Sequence, residues 1–328
     1  MDQSLIKKIV KQYVHTSEPL VTPMVHGANN FTYKIESDKG LLILRVYGNH
    51  DFIEELQYEH EVLHYLVKQD ISFQVPAPIR LLNQETYAEC DGKMIAVFPF
   101  IEGEEPTRST IHYFELGEKV SELTVALQQC QPTAQPSYTP TFQLFDVHPN
   151  VNEDTFAEFL QRSPDSIHNS FFKKELSKII EEIQTFTHDL PLQIIHGDLM
   201  LSNLLMKDGC IHGILDFEFV SPDFRMSEVA ITMSQFIRDD EEPERTLSNL
   251  GEFIRGYRKK MTPTKNEIDA LPMLIKVRMA TLVFHFLGSH LAEKADFKVV
   301  ESQLERFYFV ISWVDKYKDR LVEFFDEH

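Results

Sequence analysis

The spacing of hydrophobic and polar positions changes character part-way along the chain. Before residue 102 the apolar residues come in short β-rich runs. "NNFTYKIES" and "GLLILRVYG" are two such runs, joined by the turn signal "DKG". "DFIEELQYEHEVLHYLVKQD" switches to helical periodicity and "VPAP" ends it. "APIRLLNQ", "TYAEC" and "KMIAVFPFI" read as further strands, with "DGK" as a hairpin turn. The opening "MDQSLIKKIVKQYV" predicts an amphipathic helix with Leu5, Ile6, Ile9, Val10 and Tyr13 on one side, and it has no signal-peptide core.

"EGEEPTRST" is a polar connector holding Gly103 and Pro106. Beyond it the pattern predicts helices over 111–130, 171–187, 226–238, 245–260, 266–290 and 297–325. The Pro-rich "QPTAQPSYTPT" reads as a loop. "MLIKVRMATLVFHFLGSHL" is the most apolar of the later segments, but Lys276 and Arg278 lie inside it, so it reads as a buried helix rather than a membrane span. The sum is an α+β chain: a small antiparallel β unit with one helix, then a larger helical one. The division is expected at residues 1–102 and 103–328.

Composition narrows the function. With 328 residues, 43% hydrophobic and 25% charged, the chain has material for a sizeable core. A net charge of -19 argues against a nucleic-acid partner, since phosphate backbones are held by concentrated Lys and Arg. It is compatible with a cationic small molecule. Cys90, Cys130 and Cys210 are widely spaced and form no metal-ligand pattern, which fits a reducing cytoplasm.

One stretch breaks the helical pattern: "IIHGDLMLSNLLMKDGCIHGILDFE". It places Asp198 and Asp216 among Leu and Ile, with Asn203 between them. Asp198 and Asn203 have the D-x-x-x-x-N spacing of a kinase catalytic loop. There the Asp accepts the proton of an attacking hydroxyl and the Asn oxygen ligates Mg²⁺. "LLMKDGCIHGILDFE" reads as two short strands around Asp208-Gly209, a hairpin that returns Asp216 towards Asn203. Either Asp alone would also suit an ordinary turn. The combination is what points to an Mg²⁺ and phosphate site. His196 reads as a residue that holds the loop, not as a base.

This stretch resembles the aminoglycoside phosphotransferase and choline kinase superfamily, whose loop is similar to HGDLHPxN. His196, Gly197, Asp198, Leu199 and Asn203 match it, while Met200 and Leu201 depart. The resemblance spans about Val25 to Phe236. It implies a protein-kinase-like bilobal fold, ATP and Mg as cofactors, and a small-molecule hydroxyl acceptor. Arg45 in "LLILRVY" then takes the phosphate-binding position usually held by Lys. Helical geometry picks its partner: Glu59 falls in the apolar stripe of Leu56, Leu63 and Leu66, and a buried carboxylate needs a cation. "VHGANNFTYKI" resembles the family's phosphate turn, with Gly27 and Asn30 as its candidates. By register in "VFPFIEGE", Phe98 stands at the adenine pocket, with the Pro99 carbonyl and the Ile101 N–H facing the base.

The segment after Asp216 enters a helix too soon for a peptide-binding platform, and Glu218 stands where a protein kinase has Gly. A small acceptor is expected. The short acidic segment and "LRVY" look most like the type II homoserine kinase branch, with aminoglycoside or choline-type acceptors and a catalytically dead binding protein as alternatives. Glu218, Asp223 and Glu228 are candidates to meet an acceptor ammonium group, or equally to be caps and surface charges.

Overall fold

The structure is a computed structural model that describes residues 3–13, 19–24, 30–38, 40–47, 53–81, 83–136, 138–162, 167–186 and 189–326. Its elements in chain order begin with α1 (Gln3–Tyr13), β1 (Leu20–Pro23), β2 (Asn30–Ser37), β3 (Gly40–Tyr47), α2 (Ile53–Leu66), β4 (Ala88–Cys90) and β5 (Lys93–Pro99). Next come α3 (Tyr113–Leu127), α4 (Glu153–Arg162), α5 (Ile167–Phe186), β6 (Leu192–Ile195), β7 (Leu204–Lys207), β8 (Cys210–Ile214) and β9 (Ser221–Phe224). The chain finishes with α6 (Arg225–Ser234), α7 (Pro243–Tyr257), α8 (Lys265–Leu291) and α9 (Phe297–Glu323). Two compact units form. The first holds Met1–Glu105, Gln129–Ser137 and Leu204–Glu218; the second holds Pro106–Gln128, Tyr138–Asn203 and Phe219–His328. The chain thus enters the helical unit a few residues beyond 102, and it crosses back twice, with Gln129–Ser137 and with the Leu204–Glu218 segment that adds a hairpin to the first unit.

In the first unit a five-stranded antiparallel sheet runs in the order β1-β2-β3-β5-β4. β2 and β3 are the two runs flanking "DKG", paired from Asn30↔Tyr47 to Ser37↔Gly40. Residues 91 and 92 make a two-residue turn with both φ angles positive, 49° and 68°, the geometry that suits the twist of a hairpin. α1 seals one face. Its Ile6, Ile9, Val10 and Tyr13 join Ile35, Leu44, Val46, Ile95 and Val97 in one cluster, and Tyr13 donates to the Ile95 carbonyl at 2.8 Å.

One expectation fails here, and one strand is additional. Among its described residues "APIRLLNQ" forms no strand. Pro76 and Pro78 lack N–H donors, and the segment keeps only isolated bonds such as Ile79 N–H to the Val97 carbonyl at 2.7 Å. β1 was not expected, because it is short and contains Pro23. It sits at the sheet edge, where a missing donor costs least.

The second unit is mostly helical. α3 and α7 cross on two glycines: a Cβ on Gly256 would stand 1.9 Å from the Phe114 carbonyl, and one on Gly117 would stand 2.0 Å from that of Phe253. Glu267 closes a capping box with Thr264 at the start of α8 and also accepts Arg225 Nε and Nη2 at 2.8 and 2.6 Å. That carboxylate both satisfies orphan N–H groups and neutralises a buried guanidinium. α4 was not expected either, since its short apolar pattern rests on Phe156 and Phe159. These reach a phenylalanine cluster in which Phe156 stacks on Phe284 at 5.1 Å. α8 is long and apolar enough to cross a membrane, and 67% of its apolar window is buried inside the protein. β6 and β9 pair antiparallel from Leu192↔Phe224 to Ile195↔Ser221 and frame the loop that follows β6.

Candidate active site

The loop behind β6 carries His196, Gly197 and Asp198. Gly197 has φ 81°, and a Cβ there would lie 2.6 Å from the Phe219 carbonyl, so only glycine fits. His196 is fully buried, and its Nδ1 accepts the Asp198 N–H at 3.3 Å. The ring therefore braces the loop from inside.

Asp198 is held from two sides. Arg278 of α8 places Nη2 2.5 Å from Asp198 Oδ1. Asn203 donates Nδ2 to the Asp198 carbonyl at 2.8 Å and to Oδ2 at 3.3 Å. With the amide nitrogen committed to Asp198, Oδ1 is the side-chain acceptor that Asn203 keeps. That is the atom a hard cation takes. Gln235 fastens the next residues, accepting from Leu201 N at 2.8 Å and donating to the Leu199 carbonyl at 3.2 Å.

Two of the three acids expected at an acceptor ammonium group do not lie on a free surface. Asp223 is 1% exposed and accepts from Thr141 N and Oγ1, both at 2.6 Å, from Phe224 N at 2.6 Å and from Ser227 Oγ at 3.0 Å. Glu228 is 1% exposed and accepts the His196 N–H at 2.5 Å. Burial pushes both carboxyls up, and those donors oppose it. Asp223 spends both oxygens on fixed donors and braces the chain around the loop, while Glu228 holds the His196 backbone through one oxygen and keeps Oε1 buried without a hydrogen-bond partner. Glu218 differs: it is half-buried in the first unit, where its charge acts on Arg45.

In the first unit Arg45 projects from β3. Nη1 lies 3.5 Å from Glu59 Oε1, and Nη2 lies 3.8 Å from Asp216 Oδ1. Glu59 is 5% exposed on α2, as its place in the apolar stripe predicts. Burial pushes its carboxyl up to about 7, while Arg45 pulls it down and Asp216 and Glu218 add to the rise. Burial opposes the charge on Arg45, but Tyr47, Glu59, Asp216 and Glu218 together outweigh it. The guanidinium also lies 5.5 Å from the Phe98 ring centroid.

Asp216 follows β8 with φ 62°, a left-handed backbone that costs a non-glycine residue on the order of 1 kcal/mol. The hairpin before it turns at Asp208 and Gly209, φ 53° and 83°, and its ladder closes at Leu204↔Ile214. Asn203 thus immediately precedes the ladder's open end, and Asp216 follows it two residues later. Phe100 N–H donates to the Leu41 carbonyl at 3.2 Å. By the alternation of an extended chain, the Pro99 carbonyl then points to the opposite edge. Ile101 is 7% exposed, against Gly213. Asn30 begins β2 opposite Tyr47. Its side chain and Gly27 lie outside the described residues.

The sequence profile of the APH phosphotransferase enzyme family matches residues 21–260, most of the chain. The chain belongs to this family of phosphotransferases. Homoserine kinases are among its relatives: that of Rhodospirillum rubrum is 25% identical over 263 residues, covering 77% of this chain and 75% of that one. The homoserine kinase of Nitrobacter winogradskyi is 23% identical over 261 residues, with 77% and 74% covered. The fold of the phosphotransferase is that of solved small-molecule kinases. An amicoumacin kinase bound to AMP-PNP and Ca²⁺ superposes with TM-score 0.72 at 15% identity, over 96% of this chain and 94% of that one. A microcompartment-associated aminopropanol kinase gives 0.67 at 19% identity, over 97% and 98%. A spectinomycin phosphotransferase bound to ADP gives 0.60 at 14%, over 97% and 99%. The protein-kinase-like α+β fold is established, and the phosphotransferase is a small-molecule kinase.

Arg278 and Gln235 were not singled out in the sequence as site residues. A signal existed for Arg278: a cation inside the most apolar helix must find a buried anion. Nothing local marks Gln235.

Proposed function

We propose that this phosphotransferase moves the γ-phosphoryl group of ATP to the hydroxyl of a small amino alcohol, with homoserine as the leading acceptor. The observation that carries the reading is Asp198. Its carboxylate is fixed by Arg278 and Asn203 and remains 26% exposed, as a base that must reach a hydroxyl requires. The homoserine kinase relatives support the acceptor class.

In the proposed reaction Asp198 accepts the proton of the acceptor hydroxyl as its oxygen bonds to the γ-phosphorus. The bond to the bridging oxygen breaks in line, and ADP leaves. Mg²⁺, when bound, would neutralise the phosphate oxygens. Asn203 Oδ1 and the Asp216 carboxylate are hard oxygen donors suited to it. Arg45, kept charged and held by Glu59, forks onto phosphate oxygens. Gly27 and Asn30 belong to the turn that would meet phosphates, and the Pro99 carbonyl and Ile101 N–H to the edge that would meet adenine. Glu218 keeps the role of acid for the acceptor ammonium. The free thiols Cys90, Cys130 and Cys210 suit a reducing cytoplasm, where ATP is held.

The test is ADP release with Mg-ATP across homoserine, choline, ethanolamine, methylthioribose, fructosamines and aminoglycosides. Turnover highest with homoserine supports the reading. Turnover confined to aminoglycosides or choline would replace the acceptor. MgATP binding without phosphorylation of any acceptor would favour a kinase-like binding protein.

A further inference from the structure

Two arginines of the second unit, Arg278 and Arg306, carry buried guanidinium N–H groups that lack partners. Among the described residues Arg278 makes a single hydrogen bond, to Asp198, and its Nε is buried without a partner. Arg306 on α9 donates Nη2 to the Ser234 carbonyl at 3.1 Å, at the C-terminal end of α6. Its Nε is also buried without a partner. Gln235 follows Ser234 and bonds Leu199 and Leu201 in the loop that carries Asp198. Arg306 is therefore tied to the Asp198 loop through the end of α6.

Arg306 has no carboxylate partner among the described residues. Burial pushes its guanidinium down, and Arg238 and Arg278 push it further. A buried guanidinium without a counter-charge is costly, and two that repel each other cost more. Asp198 balances at most one of them. Guanidinium donors lie in a planar fork that matches the two oxygens of a carboxylate. An arriving anion would satisfy both orphan N–H groups and the unbalanced charge.

We propose that Arg278 and Arg306 form an anion subsite beside Asp198, and that the anion is a carboxylate carried by the acceptor. This rests on the reading of Asp198 as the group that meets the acceptor hydroxyl. It narrows the acceptor class from amino alcohols to hydroxy amino acids, whose ammonium and carboxylate are both charged. The other anions in such a site are the phosphate oxygens of the nucleotide, and binding measurements separate the two.

The test compares L-homoserine with 3-aminopropan-1-ol, the same molecule without its carboxylate, by calorimetric titration of the full chain saturated with Mg²⁺ and AMP-PNP. L-homoserine is expected to bind at least tenfold more tightly. In Arg306→Met the difference should fall below threefold. Arg306→Lys, which keeps the charge and loses the fork, should fall between and covers the case in which the methionine variant does not fold. Equal or absent binding of the two ligands by the unmodified chain would overturn the proposal, as would a full preference in Arg306→Met. Weakened AMP-PNP binding in Arg306→Met, with no preference between the ligands in the unmodified chain, would assign the arginines to phosphate. Phosphorylation of 3-aminopropan-1-ol as fast as L-homoserine would sink this inference and leave the kinase reading standing. Absence of ADP release with every acceptor would sink the kinase reading, while carboxylate binding is read without turnover.

Discussion

Arg278 Nη2 stands 2.5 Å from Asp198 Oδ1, so the middle of α8 is pinned to the loop behind β6. The pair is partly shielded, with side-chain exposures of 11% and 26%. It fixes the direction of a carboxylate that would otherwise rotate freely, and it leaves the second oxygen on the Asn203 side. Orientation of this kind is what a group meeting a hydroxyl needs, because proton transfer demands hydrogen-bond geometry first.

Asp198→Asn should therefore keep the fold and lose turnover. The asparagine can still accept from Asn203, but it cannot take a proton. A drop in kcat of about 10²–10⁴ is expected, with nucleotide affinity within a few-fold. Steady-state kinetics and titration with AMP-PNP measure the two separately. Turnover within tenfold of the unmodified protein would remove Asp198 as base.

Gly197→Ala should damage the same loop through the backbone. The added methyl meets the Phe219 carbonyl at 2.6 Å, and alanine resists φ 81°. A loss of about 1–3 kcal/mol is expected in urea unfolding, with a fall in kcat. Unchanged stability would show that the loop relaxes at little cost.

Arg45→Met should destabilise the first unit less than a broken buried ion pair usually does. Glu59, already pushed up to about 7 by burial, can take a proton once its cation is gone. The expected cost is about 1–3 kcal/mol near neutral pH, against roughly 3–5 for a charge that cannot neutralise. The double variant Arg45→Met, Glu59→Leu should recover most of it. Nucleotide affinity should fall in both, and a nucleotide affinity that survives would take Arg45 out of the phosphate role.

His60 gives a pH dependence. It is 1% exposed, bonded to Thr86 Oγ1 at 2.7 Å and Tyr47 Oη at 3.3 Å. Burial holds its imidazole well below the ordinary 6.5, and His64, Arg45 and Arg80 add to this. The folded state thus keeps His60 neutral where the unfolded chain protonates it. Its contribution is fully present above about pH 6.5 and is lost as the pH falls below that, by up to about 1.4 kcal/mol per pH unit. His60→Gln should flatten this part of the curve in urea unfolding between pH 7 and 5. Parallel curves for the two proteins would contradict it.

Much of the site could be read along the chain because its parts are local. The Asp198 to Asn203 spacing, the Asp208-Gly209 turn that closes the hairpin at Lys207↔Cys210, and Glu59 in the stripe of α2 each depend on neighbours a few residues away. Backbone periodicity and turn chemistry act at that range. Arg45 beside Glu59 also followed, since a buried acid needs a cation and β3 offered one.

Tertiary structure alone decided the rest. Asp223 and Glu228 look in sequence like Glu218, acids in a short polar segment. Only packing shows that Asp223 is taken by Thr141, from a distant loop, and that Glu228 is buried with one oxygen on the His196 backbone. Arg278 reaches Asp198 across 80 positions, and Arg306 reaches the end of α6 across 72. The sequence by itself determined which residues carry oxygen and charge along the loop behind β6. Which of those groups face solvent, and which cations surround Asp198, depends on long-range burial, because desolvation acts on a side chain only once the fold has closed around it.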